Sequence, residues 1–204
     1  LQVVFAQPCN PNATGYIPIP DLGIQEFNGF IGGKYPNGKN EIPVNHYNTG
    51  MLLAGTIKPL NVKGAVDSLN GKIGMLVLGY STAAMTGRFV RDIVEIQKIP
   101  YLEIIIGAQG GRDINSMTDS NSTYWKNIDS TLSAQQMQRE QIQIIWLSSG
   151  DIYSFKEPFP QQCYTQIPKY QEALQIIKKY YPNCKIIFLY SNKHSSPFED
   201  QTLS

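Results

Sequence analysis

The sequence predicts an α/β fold in which a parallel β-sheet carries helices on both of its faces. Short, nearly continuous apolar runs have the length of buried strands, and they alternate with segments whose apolar residues recur at helical spacing. These runs also end in clusters of small or polar residues. Because ligands of parallel sheets bind beyond the carboxyl ends of the strands, the functional residues are expected at that edge.

The regular pattern begins at Lys72. The sequence predicts four strands, at residues 73–78, 102–106, 142–147 and 185–190. It predicts three helices, near residues 83–98, 131–138 and 165–181. Pro168 is expected in the first turn of the last helix, and Pro182 follows its end. Residues 72–204 are therefore predicted to form the core.

Residues 8–71 are rich in Gly, Pro and Asn, which predicts a loop-rich arm packed on the core. A short helix is expected within the arm from about Asn48 to Thr56. Residues 1–7 place Val4 and Ala6 at the spacing of a signal-peptidase site. They are either the remnant of a signal peptide or an apolar segment packed on the core.

Composition limits the classes of partner. The 204 residues suffice for one sizeable core, and the net charge of +1 without a long basic run argues against nucleic acid. No apolar stretch approaches the ~18 residues of a membrane span. Few charges, many Asn, Tyr and Gly residues, and sequons at Asn12 and Asn121 indicate a secreted or cell-surface protein whose glycosylation stays open.

Three cysteines are too few for a disulfide framework and lack the spacing of metal ligands. Cys163 and Cys184 flank a predicted helix, so they either form one bridge or, with Cys9, remain buried thiols. The chain has no phosphate loop of the Gly-x-x-x-x-Gly-Lys type, which argues against nucleotide binding. No metal or other cofactor is predicted.

The candidate site residues follow the predicted strands. Strand 73–78 leads through Gly79 into Ser81, which is either a nucleophile at a helix N-terminus or only a helix N-cap. Gly110 and Gly111 either allow backbone N–H groups to approach an oxyanion or form only a tight turn. Asp151 either orients a catalytic base or caps a loop.

Two histidines are candidate bases. His194 follows the last predicted strand, and His46 lies in the arm, from which it is expected to fold over the same edge. Each is either a base or a structural hydrogen-bonding residue. Trp146 is expected to pack in the core, whereas Trp125 either packs there or lines the rim of a pocket.

Several short motifs, taken in order, resemble the SGNH (GDSL-like) hydrolase superfamily, and more closely its exported bacterial members. They are Gly79-Tyr-Ser81-Thr82, Gly107-Ala-Gln-Gly-Gly111 and Gln141-Ile-Gln-Ile-Ile-Trp-Leu147, with Ile17-Pro-Ile-Pro-Asp21 in the arm. The resemblance covers about residues 15–191. It implies a flavodoxin-like three-layer fold and hydrolysis of esters by a serine. Ser81 matches the family's nucleophile, and Gly110 or Gly111 matches its oxyanion glycine.

The chain departs from the family in two places. The family's third block offers an Asn after the third strand, where this chain has Ser148-Ser-Gly-Asp151. The family's base is the His of an Asp-x-x-His motif, whereas His194 has Ser191 at that distance. The chain is therefore a fragment, a degenerate member, or a protein that takes its base from elsewhere. The resemblance implies that the core at residues 72–204 lacks the family's last strand and helix.

Two hypotheses follow from the resemblance. The first is an exported serine esterase that acts on a small ester or an acylated carbohydrate, with His46, His194 or a further segment as the base. The second is a catalytically inactive domain that serves in extracellular binding or self-assembly. A further segment carrying Asp-x-x-His favours the first hypothesis, and a natural stop at Ser204 favours the second.

Overall fold

A computed structural model describes residue 17 and residues 19–190 of the chain. Within this range the chain forms two compact units, one that reaches Thr49 and one that begins at Gly50. The predictions made for Val4, Ala6, Cys9, Asn12 and His194 concern residues outside the described range.

The first unit contains a small β-hairpin. Strands β1 (Glu26–Phe27) and β2 (Phe30–Ile31) pair antiparallel. Asn28 and Gly29 connect them with φ values of 51° and 82°, and two-residue hairpin turns favour such left-handed residues. Helix α1 (Val44–Gly55) spans the boundary in sequence between the units. It confirms the helix predicted at 48–56, and it begins four residues earlier.

The second unit is built around a four-stranded parallel sheet. Its strands are β3 (Ile73–Gly79), β4 (Leu102–Ile106), β5 (Ile142–Ser148) and β6 (Ile186–Tyr190). They lie in the order β4-β3-β5-β6, which corresponds to the first four strands of the flavodoxin-like order. All four predicted strands are confirmed, each within one residue at either end.

Helices cover both faces of this sheet. Helix α2 (Ser81–Gln97) packs on one face, where Ala83 and Ala84 lie against Val77 and Ile104. Helices α3 (Thr123–Ala134) and α4 (Gln161–Tyr180) pack on the other face in a larger core that includes Leu76. The predicted α/β fold with three layers is therefore confirmed. None of the helices in the described range is long and apolar enough to cross a bilayer.

Two details of the helix predictions are wrong. Helix α3 covers Thr123–Ala134, not 131–138, because Trp125, Ile128 and Leu132 form its buried stripe among polar neighbours that obscured the period. Helix α4 begins at Gln161, so Pro168 is its eighth residue and does not lie in the first turn. A proline at that position removes one helical hydrogen bond, and the helix nevertheless continues to Tyr180.

The bridge considered between Cys163 and Cys184 is also wrong. Cys163 lies in the first turn of α4 and Cys184 follows the end of the same helix, so roughly 25 Å of helix axis separates them at 1.5 Å per residue. A disulfide needs Cα atoms within about 7 Å. Both cysteines are free and half-buried, and burial raises the pKa of Cys184 to about 11.

Candidate active site

Ser81 lies where the sequence predicts it, at the carboxyl end of the central strand. It is the first residue of α2, two residues after the end of β3, and its side chain is exposed. Tyr80 occupies the N-cap position, so Ser81 is not the residue that caps the helix. The first hydrogen bond of the helix runs from the Ala84 N–H to the Tyr80 carbonyl at 3.1 Å. The Ser81 N–H therefore precedes the first helical hydrogen bond and lies at the positive end of the helix dipole.

Gly79 allows the strand to turn into the helix without a connecting loop. Its φ is +140°, a backbone conformation that residues with a side chain rarely adopt. A Cβ atom at this position would lie 1.8 Å from the Ser148 carbonyl oxygen and 2.8 Å from the Ala83 Cβ. The close approach of β3, β5 and α2 at this point therefore requires glycine.

Tyr124 binds both main-chain groups of Gly79 from the opposite face of the sheet. The Gly79 N–H donates to the Tyr124 hydroxyl at 2.9 Å, and that hydroxyl donates to the Gly79 carbonyl at 3.3 Å. Burial raises the pKa of Tyr124 well above its ordinary value and outweighs the opposing effect of the Gly79 N–H. The phenol is thus protonated and can donate.

The glycine turn after β4 is attached to the same residue. The Gln109 N–H donates to the Gly79 carbonyl at 3.0 Å, and Gly110 and Gly111 follow directly. The Arg112 N–H closes the turn on the Gln109 carbonyl at 3.2 Å. Gly111 has a φ of +68°, and a Cβ atom on Gly110 or Gly111 would meet nothing within 4 Å. The two glycines form a tight turn, and a role of their N–H groups toward an oxyanion stays a prediction.

The glycine turn and the start of α2 follow the carboxyl ends of the neighbouring strands β4 and β3. Within residues 19–190, the N–H groups of Ser81, Gly110 and Gly111 have no hydrogen-bond acceptor. The Gln109 N–H donates to the Gly79 carbonyl. Ser81 is two residues from Gly79, and Gly110 is one residue from Gln109. The arrangement brings an exposed hydroxyl and several available N–H groups to one corner of the sheet.

Asp151, after β5, is a buried carboxylate with three donors. It accepts hydrogen bonds from the Lys169 ammonium, from the Tyr153 N–H at 2.9 Å and from the Asn115 side chain at 3.0 Å. Burial raises the pKa of Asp151, but the hydrogen bonds and the charge of Lys169 together hold that pKa below its usual value. The carboxylate is therefore ionised and paired.

Asn115 joins the loops that follow β4 and β5. Besides Asp151, its side-chain amide donates to Asp113 at 2.9 Å, and Asp113 also accepts from the Asn115 and Ile152 N–H groups at 3.1 Å. Both hydrogens of the Asn115 amide are thus in use. The Asn115 side chain therefore has no free donor for an oxyanion.

Sequence reasoning missed several of these residues. Asp113 and Asn115 follow the glycine turn directly and were detectable as polar groups at a strand end. Lys169 and Tyr170 gave no such signal, because their placement depends on where α4 packs. The Tyr170 hydroxyl donates to the Ser149 carbonyl, and burial together with the nearby Tyr80 raises the pKa of Tyr170 to about 12.

The other predicted site residues are placed as follows. His46 lies on α1, exposed, with its ring 6.5 Å from that of Tyr35 in the same unit. Its role as a base, like that of His194, stays a prediction. Trp125 is buried, so its packing role is confirmed and the pocket-rim alternative is wrong. Residues 17 and 19–190 contain no group of three His, Cys, Asp or Glu residues suited to a metal ion.

Comparison with known proteins gives a limited result. No protein-family model and no curated protein matches the chain. Among solved structures, the chain is similar to the periplasmic domain of a lipopolysaccharide acetyltransferase from Salmonella ser. Paratyphi A, with 19% identity and a TM-score of 0.38. The similarity covers 71% of this chain and 56% of that one. A likeness of this degree identifies no shared function.

Proposed function

We propose that the protein is a serine ester hydrolase that uses Ser81 as its nucleophile. One observation carries the proposal: an exposed Ser81 hydroxyl begins α2 beside a glycine turn that is hydrogen-bonded to the same strand end. The N–H groups of Ser81, Gly110 and Gly111 have no acceptor within the described residues. Backbone N–H groups placed in this way can stabilise an oxyanion.

The reaction follows from these groups. The Ser81 Oγ attacks the carbonyl carbon of the ester, and its proton passes to a base. The carbonyl oxygen becomes an oxyanion that accepts hydrogen bonds from Ser81 and from Gly110 or Gly111. Collapse of the tetrahedral intermediate expels the alcohol, which takes up the proton, and leaves an acyl-serine that water hydrolyses. His46 and His194 are the candidate bases.

The contacts of Asp151 favour one of its two predicted roles. Its carboxylate accepts from the Tyr153 N–H two residues ahead, and its carbonyl accepts from the Ser154 N–H at 3.2 Å. These are the contacts of a residue that caps a loop. In the proposed mechanism Asp151 therefore fixes the loop after β5 and does not move a proton.

The proposed substrate is a small ester or an acylated carbohydrate outside the cytoplasm. The family resemblance supports this substrate class, and the low content of charged residues, 16%, supports export. Hydrolysis of p-nitrophenyl acetate compared with release of acetate from an acetylated polysaccharide tests the substrate class.

A second function is a catalytically inactive domain for binding or self-assembly. The surroundings of the Ser81 hydroxyl favour this second function. Within the described part of the chain, no His, Asp or Glu side chain hydrogen-bonds to the Ser81 hydroxyl, and both donors of Asn115 are occupied. A serine hydroxyl without a base is a weak nucleophile.

Reaction of the full chain with a fluorophosphonate probe, followed by intact mass, separates the two functions. Wild type is expected to gain one adduct, which Ser81→Ala loses. Ser133→Ala, which changes an exposed serine of α3, is the matched control and should keep the adduct. Absence of an adduct on folded wild type contradicts the hydrolase and supports the inactive domain. Loss of the adduct in His46→Ala or His194→Ala then identifies the base.

A further inference from the structure

We propose that Tyr124 is a positioning residue for the Ser81 site, and that its hydroxyl fixes the nucleophile and the oxyanion donors relative to one another. This inference rests on the proposed hydrolase function. Tyr124 lies on α3, beneath the sheet, and touches neither the Ser81 hydroxyl nor the glycine N–H groups in the contacts described above. It acts through the backbone that carries them.

The Tyr124 hydroxyl holds the backbone of Gly79 at the end of β3. One hydroxyl satisfies both the N–H and the carbonyl of Gly79, at 2.9 Å and 3.3 Å. Gly79 stands two residues before Ser81 and is buried. The direction in which the chain leaves β3, and hence the position of the Ser81 Oγ, therefore depends on that hydroxyl.

Gly79 and Tyr124 both bond to Gln109 and so hold the glycine turn after β4. The Gly79 carbonyl also accepts the Gln109 N–H, and the Gln109 side chain donates to the main-chain carbonyl of Tyr124 at 2.9 Å. Asn127, one turn further along α3, donates to the Gln109 side-chain oxygen at 2.9 Å. Hydrogen bonds thus close a ring that contains the strand end, the turn and α3.

Packing in the core keeps the Tyr124 side chain rigid. The Tyr124 side chain is fully buried, and its ring stands edge-on to Trp125 with centroids 5.4 Å apart. Because the ring cannot move without disturbing the core, the hydroxyl is a fixed point. A displacement of about 1 Å between nucleophile and oxyanion donors can cost about 100-fold in rate, so a fixed point here serves catalysis.

The test compares two buried tyrosines. Tyr124→Phe removes the hydroxyl that holds Gly79, whereas Tyr181→Phe removes a buried hydroxyl that has no partner among the described residues. Labelling of the full chain by the fluorophosphonate probe is followed over a range of probe concentrations, at a temperature at which circular dichroism shows every variant folded.

Tyr124→Phe is expected to lower the maximal labelling rate at least about tenfold, with the half-saturating probe concentration changed by less than about twofold. Tyr181→Phe should label as wild type does. A merely structural role would lower the melting temperature but leave the maximal rate of the folded protein unchanged. An unchanged rate in Tyr124→Phe therefore overturns the inference while the Ser81 function stands.

Two other outcomes are decisive. If wild type itself does not label, the proposed function fails and the inference fails with it. If Tyr124→Phe does not fold, Asn127→Ala, at an exposed position, removes the hydrogen bond that orients the Gln109 side chain toward the Tyr124 carbonyl, and so loosens the link between α3 and the glycine turn that the inference requires. It is then expected to slow labelling about threefold with unchanged melting temperature, and a wild-type rate in Asn127→Ala overturns the inference.

Discussion

Replacement of Gly79 by alanine tests the geometry of the strand end most directly. The added Cβ would lie 1.8 Å from the Ser148 carbonyl oxygen, so β3 and β5 must move apart where the site is built. The φ of +140° adds backbone strain, because alanine rarely adopts this conformation. Gly110→Ala is the matched control, since a Cβ there meets nothing within 4 Å.

The magnitude follows from these two effects. Overpacking costs about 1–3 kcal/mol and a strained backbone costs about 1–3 kcal/mol, while the stiffer unfolded chain returns about 0.4–1 kcal/mol. Because the neighbouring atom is backbone and cannot rotate away, we expect Gly79→Ala to lower the free energy of unfolding by about 3 kcal/mol. Gly110→Ala should change it by less than about 1 kcal/mol.

Urea denaturation followed by circular dichroism measures both variants against wild type. A loss of about 3 kcal/mol would remove a large part of the roughly 5–15 kcal/mol by which domains are stable. If Gly79→Ala lowers the free energy of unfolding by less than about 1 kcal/mol, the steric reasoning is refuted. Equal losses in Gly79→Ala and Gly110→Ala would refute it as well.

Three further predictions concern other parts of the second unit. Asp151→Asn should cost about 2 kcal/mol at pH 7 in urea unfolding. Because the folded-state pKa of Asp151 is lowered, its contribution is complete above the unfolded pKa of about 3.9 and is lost as pH falls through the folded pKa. The difference from wild type should therefore shrink in acid, and Asp92→Asn, at an exposed position, should show no such difference. Tyr181→Phe should leave the free energy of unfolding unchanged or raise it by less than about 1 kcal/mol, because its hydroxyl is buried without a partner among the described residues; a loss above about 1 kcal/mol would contradict this. Non-reducing peptide mapping of the air-oxidised native protein should show no peptide that joins Cys163 to Cys184, and such a peptide would contradict the placement of α4.

The fold was predictable where a buried element produces a clear apolar pattern in the local sequence. Each strand is a short, nearly continuous apolar run, and the runs of the two central strands, β3 and β5, reflect burial on both faces of the sheet. Helix α3 was misplaced because only four of its residues, Tyr124, Trp125, Ile128 and Leu132, are buried, and polar residues surround them. The start of α4 was misplaced because Pro168 is a common first-turn residue and here lies inside the helix.

The candidate site was predictable only where it follows a strand directly. Ser81, Gly110, Gly111 and Asp151 each belong to a strand-end cluster that is visible in the sequence. The hydroxyl that holds Gly79 comes from Tyr124, 45 residues further along the chain. Such a partner depends on how a helix packs beneath the sheet, and no local pattern reports it.

The polar groups at the carboxyl edge differ in how far their hydrogen-bonding capacity is used, and this difference indicates where chemistry can occur. Asp151 accepts three hydrogen bonds, both hydrogens of the Asn115 amide are in use, and Lys169 compensates the charge of Asp151. A new charge placed against such a cluster would have to break existing bonds. The N–H groups of Gly110 and Gly111 have no acceptor within the described residues, and both glycines are exposed. In the proposed mechanism a developing oxyanion would accept hydrogen bonds there without displacing a protein partner, so we place the reacting ester at the corner between β3 and β4.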